Sequence, residues 1–240
     1  MKTAIITGAS HGIGAAIAVE LLHSDYRVYG IGRDFSEMTE LLFTEVPEEK
    51  RGFFRPLPMD LCDTHSLITA VQNIRQKHKI CLLVNNAGVG YFGPHEELNP
   101  AKIHEMVTIN VEIPMLLCQL LLRDLKETQG QIIQISSVTA KKNNNTHGCA
   151  YGATKAALTS FSSSLWEEVR KYGVRITTIH PDMTASGFYR NANFKEAGEP
   201  DAHLLPKDVA DTVHMLLTAR EGMVFTDLTL TPQKHKIERK

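Results

Sequence analysis

The chain has 240 residues, 42% of them apolar and 22% charged, and its 26 basic and 27 acidic side chains leave a net charge of −1. That length and balance suit one α/β domain, or two small ones, with a sizeable core, and they disfavour disorder. The near-neutral charge gives no global electrostatic reason to expect nucleic acid or an anionic membrane as a partner.

Short apolar runs alternate with amphipathic segments, and no repeat or linker divides the chain. TAIIT (3–7) reads as a buried strand, followed by a helix from about Gly12 to His23. RVYGIG (27–32) is a second strand, and Asp34 caps the helix after it. FFRPLPMD (53–60) is a third, less regular strand because of its prolines, and Asp63 caps a helix to about Lys77. ICLLVNN (80–86) is a fourth strand; the long helical region after Asn99-Pro100 is open to a bend or break at Pro114. QIIQISS (131–137), VRITTIH (174–180) and MVFTDLTL (223–230) complete the strands, with helices around Tyr151 and over 205–219. Strands alternating with helices imply parallel pairing and right-handed crossovers. The expected fold is therefore an α/β, doubly wound, mostly parallel seven-stranded sheet with helices on both faces, in a single domain spanning 1–240. In such a sheet ligands sit at the carboxyl ends of the strands.

The remaining composition is bland. IPMLLCQLLL (113–122) is far short of a membrane-spanning helix, and the N-terminus does not read as a signal peptide. Cys62, Cys81, Cys118 and Cys149 form no CxxC, so buried reduced thiols are the default and a cytoplasmic setting is expected. The eleven histidines show no HExxH or HxxxH pair, so no metal site is expected. The basic tail KHKIERK (234–240) reads as a solvated end.

The strand ends carry the chemistry. TGASHGIG places Gly8, Gly12 and Gly14 between the first strand and the first helix, where free N–H groups and the helix dipole suit a pyrophosphate. In YGATK, Tyr151 and Lys155 stand four apart on one helix face. An ammonium beside a phenol favours the phenolate and lowers its pKa.

TGASHGIG, NNAG (85–88), Ser137, Tyr151 and Lys155, in this order and spacing from residue 3 to about 184, resemble the short-chain dehydrogenase/reductase family, in its short single-domain branch. The resemblance implies a Rossmann-type fold, a nicotinamide cofactor and hydride transfer at a carbon bearing oxygen. It makes Tyr151 the acid or base, and Lys155 the group that holds the ribose and depresses the phenol. Bringing a tyrosine from about 10 to about 7 takes roughly 4 kcal/mol. Ser137 would orient the substrate oxygen, and Asn110 would keep a water in the proton relay, with a helix-bending residue beside Pro114 as the rival reading. Fourteen positions separate Ser137 from Tyr151, one more than is usual, so AKKNNNTHG (140–148) reads as holding an inserted residue and Ser136 is the fallback.

The resemblance also assigns cofactor contacts to Gly8, Ser10, Gly12, Ile13 and Gly14, to Asp60 and Leu61, to Asn86, Ala87 and Gly88 on the adenosine side, and to Pro181, Met183 and Thr184 near the carboxamide. Asp182 stands where the family usually has glycine, and a strand-end cap is the rival reading for Asp60. The usual acidic position after the second strand falls on Gly32, which leaves room, and Arg33 follows with a fixed charge; this favours NADP over NAD.

The segment 182–205 is expected to be a substrate loop, with Phe188, Tyr189 and Phe194 lining an apolar pocket or packing on their own domain. The partner is a small carbonyl or alcohol. The resemblance makes the stretches 115–122 and 161–166 candidates for a homodimer, or tetramer, interface, with packing against the sheet as the equal alternative for both. A catalytically silent NAD(P)-binding regulator is the alternative function.

Overall fold

The apolar runs become strands of one parallel sheet. The computed structural model describes residues 1–142, 144–234 and 236–240, so Asn143 of the 140–148 stretch and His235 of the tail lie outside the described residues. In chain order the elements are β1 (Lys2–Thr7), α1 (Gly12–His23), β2 (Tyr26–Gly32), α2 (Ser36–Glu45), the short α3 (Glu48–Arg51), β3 (Phe54–Pro58), α4 (Thr64–Lys77) and β4 (Leu82–Asn85). They continue as α5 (Pro100–Val107), α6 (Ile113–Thr128), β5 (Gln131–Ile135), α7 (Cys149–Val169), β6 (Arg175–Pro181), β7 (Phe194–Glu196), α8 (Pro206–Thr218), β8 (Asp227–Leu230) and β9 (Ile237–Arg239).

Seven strands lie in the order β3-β2-β1-β4-β5-β6-β8, every pair parallel. Side chains alternate across the pleat. Ala4 and Ile6 of β1 join the core that contains Ala15, Ile17 and Leu21 of α1 and Val209 and Val213 of α8, whereas Ile5 joins Leu67 of α4 and Leu117 and Leu121 of α6. The strand order reverses beside β1, and the carboxyl ends of β1 and β4 part there into a crevice.

Local chemistry sets the helix starts. Asp63 caps α4 by accepting the Ser66 N–H at 3.0 Å, and Asn99 caps α5 with Pro100 at the first position. Asp34 acts one residue before the cap of α2, taking the Ser36 N–H at 3.0 Å and its hydroxyl at 2.7 Å. Between α5 and α6 the helix widens into a π turn, Thr108–Glu112, and Pro114 opens the second half, where its missing N–H leaves no gap. The passage Pro100–Thr128 is long and apolar enough to cross a membrane by length and composition alone. Its Ile113, Leu117, Leu121 and Leu125 recur at helical spacing and are buried against the sheet, which marks a core helix.

Two expectations change. Of the thiols only Cys118 is buried; Cys81 is half-buried, while Cys62, in the turn before α4, and Cys149, the first residue of α7, are exposed. Both exposed thiols sit at element ends, where the neighbouring apolar runs no longer cover them. The tail is exposed but its backbone is not free. β9 pairs antiparallel with β7, Lys234 bridges to Asp201 at 2.9 Å, and Lys236 bridges to Glu199 at 2.6 Å. The Lys240 ammonium donates to the carbonyls of Tyr189 and Arg190 at 2.7 and 3.1 Å. The basic tail is thus a strap across the acidic end of the 182–205 segment.

Candidate active site

The glycine turn is shaped by contacts that exclude a side chain. Gly8 and Gly12 have φ of +66° and +56°, and a Cβ on Gly14 would stand 2.0 Å from the Gly8 carbonyl oxygen. Asn86 laces the end of β4 to this turn, its amide donating to the carbonyls of Thr7 and Gly8 at 3.0 and 3.1 Å. The Thr7 hydroxyl accepts the N–H groups of Asn86 and Ala87 at 3.1 and 3.0 Å. The first two sequence motifs are therefore one structural unit.

From this unit a cleft of about 1150 Å³, open mouth included, runs to the start of α7. Gly8, Ser10, Gly12 and Ile13 line it at the turn, with Arg33, Asp60 and Leu61 at the far side and Asn86, Ala87 and Gly88 along one wall. Ser137, Tyr151, Lys155, Pro181 and Thr184 close the other end. Gly14 and Met183 do not face the cleft: Gly14 is packed under the turn and Met183 is buried behind it. Asp60 combines both of its readings, because it lines the cleft while its Oδ1 accepts the Cys62 N–H at 2.9 Å. The room expected beside Gly32 is filled by Ser10, whose side chain would lie 2.9 Å from a Cβ there.

At the α7 end the two neighbouring serines divide their work. Ser136 donates to the Lys155 carbonyl at 3.1 Å and bonds Thr159, holding α7 on β5. Ser137 lines the cleft beside Tyr151, and its hydroxyl accepts the Thr139 N–H at 3.2 Å. Lys155 is 3% exposed and gives its ammonium to the Ile135 carbonyl at 2.9 Å, 5.9 Å from the Tyr151 ring centre. Burial pushes the Lys155 amine down to about 8. Burial likewise pushes the Tyr151 phenol up to about 12, with the nearby Ser137 hydroxyl pulling the other way. The expected depression of the phenol is thus reversed here: the ammonium is aimed at a carbonyl, and desolvation of the ring dominates.

Asn110 sits behind the cleft. Its Oδ1 accepts the Val89 N–H at 2.9 Å, and its Nδ2 donates to the Val89 carbonyl at 2.9 Å and to Thr154 at 3.0 Å. With both amide protons engaged, the side chain clamps the β4 loop to α7 from inside the π turn.

A description of short chain dehydrogenases matches residues 2–197. The chain belongs to the short-chain dehydrogenase/reductase family. Its members are enzymes that act on CH–OH and C=O groups. The chain is similar to an alcohol dehydrogenase of the archaeon Thermococcus sibiricus, solved with 5-hydroxy-NADP, at 26% identity and a TM-score of 0.86, with 98% of each chain covered. It is similar to a metagenomic short-chain oxidoreductase solved with NADP, at 30% identity and a TM-score of 0.78, with 97% of each covered. It is 28% identical to the NADP-dependent 3-hydroxy acid dehydrogenase of Schizosaccharomyces pombe, over 96% of this chain and 92% of that one.

Sequence reasoning missed two participants in this family site. Phe92, seven residues past the end of β4, packs tilted against Tyr151 at 5.4 Å and edge-on against Phe194 at 5.3 Å between ring centres. Phe188 packs on the other side of Tyr151 at 5.6 Å, as expected of the 182–205 segment. An aromatic pair, YF (91–92), two residues past the NNAG motif was the available signal. Glu37 is the second: its carboxylate accepts the Gly12 N–H at 3.1 Å, an internal anion at the mouth of the turn. Only the three-dimensional fold brings the first turn of α2 to that place.

Proposed function

We propose that this protein is an NADP-dependent oxidoreductase interconverting a carbonyl and an alcohol, with Tyr151 as the acid or base. The observation that carries the reading is the convergence of Ser137, Tyr151 and Lys155 with the glycine turn in one cleft. NADP supplies or accepts the hydride when bound. The chain's residues fit it: the Gly8 and Gly14 cradle leaves no space for side chains, and the Gly12 N–H already holds a carboxylate in the manner of a phosphate oxygen. Arg33 is placed for a 2′-phosphate and Lys155 for the ribose hydroxyls. Ser137 orients the substrate oxygen, and Tyr151 gives that oxygen a proton in reduction or removes one in oxidation.

The rings of Phe92, Phe188, Tyr189 and Phe194 form a continuous cluster over Tyr151, with centres 5.3 to 5.9 Å apart. This favours a flat apolar substrate, which gains both burial and ring contacts there. Phe188→Ala is expected to raise KM for an aromatic ketone about tenfold, without changing NADPH affinity. Unchanged KM values across the panel would remove the aromatic reading. Glu37→Gln should tighten NADPH about two- to fivefold, read by nucleotide fluorescence, because it removes an anion competing at the helix terminus.

The direct test mixes the protein with NADPH or NADH and a panel of aldehydes, ketones and quinones, following nicotinamide absorbance. Oxidation of NADPH by any of them supports the proposal. Saturable binding without turnover would leave a cofactor-binding regulator instead.

A further inference from the structure

His180, the penultimate residue of β6, has no solvent exposure, and both of its ring nitrogens face acceptors. Nδ1 lies 3.1 Å from the Ser137 carbonyl oxygen, and Nε2 lies 2.8 Å from Oδ2 of Asp227 on β8. The other oxygen of Asp227 is held by the Lys141 ammonium, which also bonds the Thr229 hydroxyl at 2.6 Å. Lys141 ends the short turn Val138–Lys141, which Ser137 itself begins by accepting the Thr139 N–H at 3.2 Å. The turn that presents Ser137 is therefore pinned at both ends to one unit, His180–Asp227, on the neighbouring strands.

A carbonyl and a carboxylate have no proton to give. A neutral imidazole has one N–H and serves one of them; an imidazolium serves both. The carboxylate is the stronger acceptor, so it keeps the single proton of the neutral ring. We propose that His180 is a positioning residue for Ser137: with two protons it holds both Asp227 and the Ser137 carbonyl, and with one it keeps Asp227 and releases the carbonyl.

The charged groups that face the ring are Asp227 from β8 and Lys141 from the turn after β5. Burial lowers the His180 pKa from its ordinary value, and the Ser137 carbonyl and Asp227 oppose that. For Asp227, burial opposes ionisation, but the bonds from Lys141 and His180 outweigh it and hold the carboxyl below its ordinary range. The second proton on His180 is thus taken up on the acid side of neutrality, a window well below the titrations of Lys155 and Tyr151. The effect on turnover rests on the reading of Ser137 as the residue that orients substrate; the anchor itself does not.

The test compares kcat against pH, from about 5 to about 8, in the wild type, His180→Asn and His180→Gln. Asparagine places a permanent donor near Nδ1, and glutamine reaches the Nε2 position only. The wild type is expected to gain about fivefold in kcat as pH falls through the histidine titration. H180N should stay flat at the acid-side value and H180Q flat at the neutral-side value, with NADPH affinity equal in all three. Superimposable profiles would overturn the proposal while leaving the oxidoreductase reading intact. A second readout needs no turnover: the ¹⁵N spectrum of His180 and the carbonyl ¹³C shift of Ser137. A proton arriving on Nδ1 together with a Ser137 shift supports the anchor. A bare Nδ1 throughout overturns it, including where no substrate is found or a variant does not fold.

Discussion

Tyr151→Phe is expected to lower turnover about 10²- to 10⁴-fold while NADPH still binds. The change removes one oxygen and keeps the ring, so the packing of Phe92 and Phe188 on either side survives. What disappears is the hydroxyl that the proposed function makes the proton carrier for a substrate oxygen held by Ser137. The phenol, raised to about 12 by burial, is fully protonated at neutral pH. That state suits carbonyl reduction, in which the proposed function makes Tyr151 the donor. Alcohol oxidation needs the phenolate, so its rate should rise with pH. Lys155 sets the other limit. Its amine, lowered to about 8 by burial, is charged below that value and neutral above it. Reduction should therefore fall as pH climbs past about 8, and the fall should persist in variants of Arg33, which does not touch this pair. Residual activity of Tyr151→Phe within about tenfold of wild type would show that the proton travels by another route.

Most of the architecture was legible because strand ends obey local rules. Nearly continuous apolar runs such as CLLV and QIIQI admit little except buried strands, and Asp63 and Asn99-Pro100 announce helix starts. The site motifs were equally legible where they occupy one strand end, as with Gly8 to Gly14 and Asn86 to Gly88, or one helix face, as with Tyr151 and Lys155. What escaped was long-range. Glu37 reaches Gly12 across 25 residues, His180 reaches Ser137 across 43, and the tail pairs with β7 through backbone bonds that leave no mark on side-chain periodicity. The reversed tyrosine shift escaped for a related reason. The pair spacing gives proximity, but the Ile135 carbonyl that draws the ammonium away, and the rings that bury the phenol, belong to other parts of the chain.

Arg33→Ala should weaken NADPH about 10- to 100-fold and NADH by less than about threefold, measured by fluorescence titration. Arg33 follows β2 directly, lines the cleft and is exposed, and among the described residues no hydrogen bond or ion pair engages its guanidinium. Its planar donors are therefore available to a phosphate, which they match in geometry as well as charge. The nearest rival for the opposite preference is Asp34, an acidic residue one step on. Its carboxylate is occupied by the backbone and hydroxyl of Ser36, and those two bonds hold it below the ordinary carboxylate range. A side chain spent on starting α2 is not offered to a ribose hydroxyl. The position before Arg33 carries no competing group either, because Gly32 has no side chain and Ser10 packs into the space. A cation that no hydrogen bond or ion pair engages among the described residues, beside an anion already committed, is the electrostatic basis for NADP. Equal weakening of both nucleotides by Arg33→Ala would overturn that preference, because the arginine would then be acting on a part the two nucleotides share.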